Sequence, residues 1–71
     1  MVLSSSIRER VTEALVDDPR TADAAIEVID DQGVVTLDGV VASNEVRKAA
    51  EQVARQQESV INVINDLEVE E

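Results

Sequence analysis

The sequence predicts one two-layer α+β domain in the order α-β-β-α-β, in which a three-stranded mixed sheet carries both helices on one face. Apolar residues recur at helical spacing in two segments and at alternate positions in three others. A run of Asp, Gln and Gly separates the first two alternating segments, as in a hairpin. With 71 residues the chain can build one small core. We therefore expect a single domain over residues 1–71, with its core over residues 7–69.

The first helix is predicted over residues 7–16. Ser6 followed three residues later by Glu9 forms the pattern of a capping box, and apolar residues then repeat at helical spacing from Ile7 to Leu15. Carboxylates are unfavourable at the negative end of a helix, and Pro19 disfavours helical geometry in the residue before it. The helix should therefore end near residue 16.

A β-hairpin is predicted next, with a first arm that begins at Ile26 and a return arm over residues 34–41. Gly33 provides the turn. The return arm is rich in β-branched residues, as strands prefer. Gly39 interrupts it, which predicts either a bulge or a close approach of a helix to the sheet backbone.

A second helix over residues 44–56, capped by Ser43, and a third strand over residues 61–69 complete the chain. The second strand, the second helix and the third strand form a crossover, so these two strands should run parallel. The hairpin strand that begins at Ile26 can lie at an edge or between the other two strands. We favour the central position for it.

Composition excludes several functional classes. The chain has no aromatic residue, no Cys and no His, and its net charge is −10. This charge opposes nucleic-acid binding, and the chain has no ring on which bases could stack. No serine has a conventional activating base, and no spacing of ligands indicates a metal or cofactor site. We therefore expect neither an enzyme nor a nucleic-acid-binding protein, and we expect no cofactor.

One candidate binding site is a group of basic residues on the second helix. Arg47, Lys48 and Arg55 fall within an arc of about 100° on a helical wheel, so together they could contact an anionic phospholipid surface. The alternative is an ordinary solvated helix face, in which Glu51 pairs with Arg47 and Arg55 at i, i+4 spacing.

A second candidate is the sheet face away from the helices. Ile29, Val34, Val40 and Ile64 should lie on that face, mixed with polar residues. Such a face, or a free strand edge, could bind a protein partner or a second copy of the chain without any lipid binding. The alternative is that these are single exposed aliphatic residues, which strands tolerate.

The sequence resembles the BON domain, a small bacterial module of osmotic-stress, nodulation and secretin-associated proteins. The resemblance rests on the Ala14-Leu15 pair in the first helical segment, on residues 33–41, on the Ala-rich second helix and on Val63, Asn65 and Leu67. It implies an α-β-β-α-β fold, attachment to phospholipid membranes or to other proteins, and no catalytic residues. The glycine that usually precedes the last strand in this family is Ser59 here, so the turn at that position is expected to differ.

The sequence itself and the family that it resembles lead to different expectations for the cellular compartment. The chain as given has no signal-peptide pattern and no apolar run of spanning length, which leads us to expect a cytoplasmic protein. Members of the family that it resembles are often periplasmic or associated with the cell envelope.

Overall fold

The computed structural model describes residues 6–70, which form two helices and three strands in the predicted order. The elements are α1 (Ile7–Asp17), β1 (Ala25–Asp31), β2 (Val34–Val41), α2 (Asn44–Arg55) and β3 (Asn62–Val69). No helix within this described part is long and apolar enough to cross a membrane. The ends of the expected 1–71 domain, residues 1–5 and 71, lie outside the described residues. The α+β class and the element order are confirmed.

The start of α1 follows the predicted capping box. The Glu9 backbone N–H donates to the Ser6 hydroxyl at 3.1 Å, and the Ser6 N–H donates to the Glu9 carboxylate at 3.3 Å. The helix runs one residue further than expected, to Asp17, because the Asp18 N–H still donates to the Ala14 carbonyl. Just beyond it, the buried Thr21 hydroxyl donates to the Leu15 carbonyl at 2.5 Å, which satisfies one of the free carbonyls at the helix end.

The sheet order is β1-β2-β3, so β2 is the central strand. β1 pairs with β2 antiparallel, and β3 pairs with β2 parallel, as the crossover predicts. The expectation that the first strand would be central is wrong. The two-residue hairpin places β1 on one side of β2, and β3 returns from α2 to the other side. β2 thereby shares backbone hydrogen bonds with neighbours on both edges.

Both helices pack on one face of this sheet. Val11 and Leu15 of α1 contact the same core as Leu37 of β2 and the small residues Ala50 and Ala54 of α2. This core is entirely aliphatic, because the chain has no aromatic residue. The opposite face of the sheet is left without a covering layer within residues 6–70, so that its exposed side chains face solvent.

The hairpin turn depends on Gly33, as predicted. Gln32 and Gly33 have φ values of +55° and +95°, the two positive values that a type I′ turn requires. The Gly33 N–H donates to the Asp30 carboxylate at 3.1 Å. The Gly33 carbonyl accepts from the backbone N–H of Ile61 at 2.7 Å, so the same turn also fixes where β3 begins.

Gly39 is required by a neighbouring strand and not by a helix. Its φ is +135°, and a Cβ at this position would lie 2.6 Å from the carbonyl oxygen of Ala25 in β1. Both predicted reasons for this glycine are therefore wrong: β1 and β2 pair one-to-one through Gly39 without a bulge, and the close approach is that of β1 and not of a helix. Gly39 allows β1 and β2 to stay paired to the end of the hairpin, where Ala25 lies opposite Val40.

The connector before β3 places Ser59 in a backbone conformation that glycine adopts more readily. Ser59 has φ +76°, in the left-handed region. The adjacent Glu58 carbonyl accepts from the Arg10 side chain of α1 at 3.0 Å, which ties this connector to the first helix. The chain therefore makes the turn with a non-glycine residue in a conformation that is unfavourable for it.

Candidate functional site

The first predicted headgroup residue, Arg47, lies on the side of α2 that faces β3. It is half-buried, and its Nε and Nη2 atoms donate to the Asn44 side-chain oxygen at 2.9 and 2.7 Å. The expected i, i+4 pairing of Arg47 with Glu51 is not formed. Arg47 instead bonds to the residue one turn before it, so its guanidinium already has a local partner.

The second predicted residue, Arg55, makes the ion pair that its spacing predicts. Its guanidinium contacts Glu51 at 3.0 Å. Glu51 also accepts from the side-chain amide of Asn65 in β3 at 3.3 Å. The hydrogen bond from Asn65, followed by that from Arg55, holds the pKa of the Glu51 carboxyl below its ordinary value. Glu51 therefore remains charged beside Arg55.

Asn65 connects this helix to the sheet, a role that sequence reasoning did not assign to it. Its amide also donates to the Arg47 backbone carbonyl at 3.0 Å, and its oxygen accepts from the Leu67 N–H at 3.1 Å. The signal was available, because an amide at an inward-facing position between Val63 and Leu67 needs polar partners. Asn65 thereby fixes the position of the basic helix over β3.

The third predicted residue, Lys48, is exposed. Among residues 6–70, its ammonium makes no hydrogen bond or ion pair. It lines two adjoining open depressions on α2, both also lined by Gln52. One of them, of about 540 Å³, includes Arg20, and the other includes Arg55. Lys48 is thus the cation at the centre of this surface.

Arg20 is a basic residue of this surface that the sequence did not identify. It lies in the connector after α1, and its guanidinium reaches the Gln52 side chain of α2 at 3.4 Å. It also pairs with Asp18 at 2.8 Å. The side-chain hydrogen bonds from Arg20, and then its backbone N–H, lower the pKa of Asp18 to about 2. We use the name basic helix surface for Arg20, Arg47, Lys48 and Arg55.

The four predicted interaction residues of the sheet share the outer face but differ in exposure. Ile29, Val40 and Ile64 are exposed by 47%, 55% and 44%. Val34 is only half-buried, beside the hairpin turn. Three of these four residues therefore present substantial apolar area on the uncovered side of the sheet.

The register of the sheet arranges the residues of this outer face in rows that cross the strands. Ile29 lies opposite Thr36, which lies opposite Ile64, and we call these three residues the isoleucine row. The next row consists of Glu27, Asp38 and Asp66, and we call it the carboxylate row. Side chains that are directly opposite on neighbouring strands lie about 5 Å apart at Cβ, so three negative charges stand side by side.

Charge is divided between the two layers of the molecule. The two helices together contain five acidic and five basic residues, whereas the three strands contain six acidic residues and no basic residue. No group of three or more carboxylates within residues 6–70 has the arrangement of a metal site. The arrangement offers basic residues on α2, where Glu45 and Glu51 line the same depressions, and a negative, partly apolar surface on the outer face of the sheet.

Comparison with known proteins agrees with this architecture. The family model of the BON domain matches residues 4–71 of the chain. A search of curated proteins found no match. BON domains are binding-type modules that are associated with membranes or with other proteins. On this match, and on an α-β-β-α-β fold that agrees with it, the chain belongs to the BON domain family.

Proposed function

We propose that the chain is a non-enzymatic attachment module that contacts the anionic headgroups of phospholipid membranes through the basic helix surface. The observation that carries this proposal is the division of charge. All six basic residues lie in α1, α2 and the connector after α1; Lys48 shares a depression with Arg20 and another with Arg55, and Arg47 lies one residue before it on α2. Only this side of the molecule can approach an anionic surface without strong repulsion.

Headgroup binding requires Arg47 and Arg55 to exchange partners. Arg55 would leave Glu51, and Arg47 would leave Asn44, in favour of phosphate oxygens. The exposed Arg55–Glu51 ion pair contributes only about 0–1 kcal/mol, and the bonds of Arg47 to Asn44 would be replaced by bonds to phosphate oxygens, so the exchange should cost little free energy. Each basic residue near an anionic membrane contributes about 1 kcal/mol, which gives weak and salt-sensitive binding.

The net charge of −10 makes the salt dependence diagnostic. The carboxylates on the outer sheet face lie behind the helices, roughly 15 Å from a membrane that contacts α2, given a layer spacing of about 10 Å. The Debye length is about 30 Å at 0.01 M salt but about 10 Å at 0.1 M. Repulsion from the sheet is therefore felt at low salt and screened near 0.1 M. Binding should be strongest at intermediate ionic strength.

The test is flotation of the protein with anionic and neutral vesicles at about 0.01, 0.1 and 0.5 M salt. We expect flotation with anionic vesicles only, with a maximum near 0.1 M. Charge reversal of Arg47, Lys48 and Arg55 together should abolish it. Lys48→Glu should weaken flotation strongly, whereas Arg8→Glu on α1 changes the net charge equally and should weaken it less. Unchanged flotation of the triple variant would overturn the proposal.

A second candidate function is protein binding through the outer sheet face. The exposure of Ile29, Val40 and Ile64 favours it. If the partner is a second copy, the mass measured by light scattering should rise with concentration, and Ile64→Lys should reduce that rise. Val34→Lys tests the half-buried member of the same face. A strict monomer at hundreds of micromolar would contradict self-association.

A further inference from the structure

The outer sheet face has a chemistry that selects one kind of partner. Five carboxylates lie on it together with the three exposed aliphatic residues, and the strands supply no cation. Those carboxylates are Glu27, Asp31, Asp38, Asp66 and Glu68. A second copy that docked face to face would oppose carboxylates with carboxylates, and an anionic membrane or nucleic acid would also be repelled. Charge complementarity therefore requires a cationic polypeptide that also has apolar side chains.

The rows indicate the shape of that polypeptide. Neighbouring strands are about 4.8 Å apart, so a row across three strands is about 10 Å long. Helix positions i, i+4 and i+7 are separated by about 6 and 4.5 Å along the axis and span about 10.5 Å. The isoleucine row and the carboxylate row are about 6.6 Å apart along the strands, within the width of one helix. One helix can therefore lie across the strands and contact both rows.

We propose that the outer sheet face binds a short basic amphipathic helix of a partner protein. Lys or Arg side chains of that helix lie along Glu27, Asp38 and Asp66, and its aliphatic stripe packs on Ile29 and Ile64. This inference rests on the second candidate function, protein binding at this face, and it names the chemistry of the partner. It is independent of lipid contact through α2. The two sites lie in different layers, so one molecule could join a basic protein to an anionic surface.

The contact should be weak and fast in exchange. Four rows on three strands offer far less area than the roughly 800 Å² per partner of a standard stable interface. Charge pairs at an exposed surface are screened, so raising the salt concentration from 50 to 300 mM should weaken binding several-fold. NMR chemical-shift perturbation is suited to this affinity range.

The experiment titrates the labelled full chain with a synthetic 14-residue helical peptide of Leu, Lys and Ala, whose Lys residues are at i, i+4 and i+7 beside a Leu stripe. A peptide of the same composition in scrambled order is the control. Perturbations should concentrate on β1, β2 and β3. The row variant (Glu27→Gln, Asp38→Asn, Asp66→Asn) should weaken binding by about fivefold or more. Removing like charges does not threaten folding, so the variant remains testable.

A matched control variant separates this site from general attraction to a negative protein. The set Glu13→Gln, Asp17→Asn and Asp23→Asn removes the same charge from exposed positions outside the sheet and should change binding less than about twofold. Equal losses in the two variants, or perturbations on α1 and α2, would overturn the inference. No binding at about 1 mM peptide would also overturn it. If the peptide does not bind but the chain self-associates through Ile64, only the partner chemistry fails; if neither the peptide nor a second copy binds, both occupants proposed for this face fail.

Discussion

The two layers of this molecule place the same acidic residue types in opposite electrostatic settings. In the helical layer, Asp18 pairs with Arg20 at 2.8 Å and Glu51 pairs with Arg55 at 3.0 Å. In the sheet layer, Glu27, Asp38 and Asp66 lie opposite one another with no basic residue in any strand. The helical layer thus balances its own charge, whereas the outer face of the sheet retains repulsion that a partner could relieve. This difference is what assigns the two proposed sites to different sides.

The largest effect is expected where β1 joins the sheet. Gly39→Ala would place a methyl group 2.6 Å from the Ala25 carbonyl at a φ of +135°, so the end of the hairpin must separate. We expect a loss of about 2–4 kcal/mol in the free energy of unfolding. This change would also separate Glu27 from Asp38, so that Glu27 would no longer be part of the carboxylate row.

Urea unfolding measures this loss. The control is Val40→Ala, the next residue on the same strand, which is 55% exposed and should cost less than about 1 kcal/mol. Equal stability of Gly39→Ala and the wild-type protein would show that β1 does not need this glycine.

The link between the layers gives the second prediction. Asn65→Ala removes the amide that donates to the Arg47 carbonyl and to Glu51, and the oxygen that accepts from Leu67. We expect a loss of about 1–3 kcal/mol in unfolding free energy. The pKa of Glu51 should rise as well, because the hydrogen bond from Asn65, which lowers this pKa the most, is lost.

Urea unfolding and carboxyl NMR titration together check this prediction. The same substitution at the exposed Asn62, at the start of β3, is the control and should cost less than about 0.5 kcal/mol. A loss of stability with no movement of the Glu51 pKa would argue against the contact between Asn65 and Glu51.

In the sheet layer, where the carboxylates have no basic partner, we expect a substitution that increases the stability of the protein. Asp38→Asn removes the central charge of the carboxylate row but keeps an oxygen that can accept from the Gly39 N–H, a bond of 2.9 Å. We expect stability to increase by about 0.2–1 kcal/mol at low salt. The gain should shrink as added salt screens the repulsion.

Thermal unfolding at low and high salt measures this effect. Glu13→Gln on α1 removes one charge from the balanced layer and should give little or no gain. A gain of the same size in both variants would attribute the effect to net charge and not to the row.

The smallest expected effect is a pH dependence of stability that comes from Asp18, in the helical layer. The pKa of Asp18 is about 2 instead of the ordinary 3.8, because the folded state stabilises the charged form through Arg20. A lowered pKa in the folded state means that this contribution is present above about pH 4 and is lost as the pH falls toward 2. Arg20→Gln should move the Asp18 pKa upward in an NMR titration, whereas Arg8→Gln should leave it in place.

How much the sequence could predict depends on whether each contact is local. The capping box at Ser6 and the turn at Gly33 are local patterns, and both are confirmed. The pairing of Glu27 with Asp38 could also have been derived, because a two-residue turn fixes the register of a hairpin. Asp66 could not have been placed, since its position depends on how β3 returns after α2. Arg20 was missed for the same reason, because only the folded connector brings it to Gln52.

The incorrect strand order has a related cause. Periodicity identifies strands and the face that each one buries, but it contains no information on which edge of a strand is occupied. In the structure β2 is the central strand, and its inward-facing Val35 and Leu37 are completely buried beneath the helices. The placement of Arg47, Lys48 and Arg55 along α2 was easier to predict, because their spacing follows from the helix alone; Lys48 and Arg55 are exposed, whereas Arg47 is half-buried.

The carbonyl of Gly33 has a consequence for the order of events in folding. The hairpin closes locally, within microseconds for an isolated unit, whereas β3 must return over the 20 residues of the connection 42–61. Because the Ile61 N–H donates to the Gly33 carbonyl, β3 can begin to pair with β2 at the hairpin turn once that turn has formed. Asp66 therefore joins the carboxylate row last. We expect Asp66→Asn to slow unfolding and to leave the folding rate nearly unchanged.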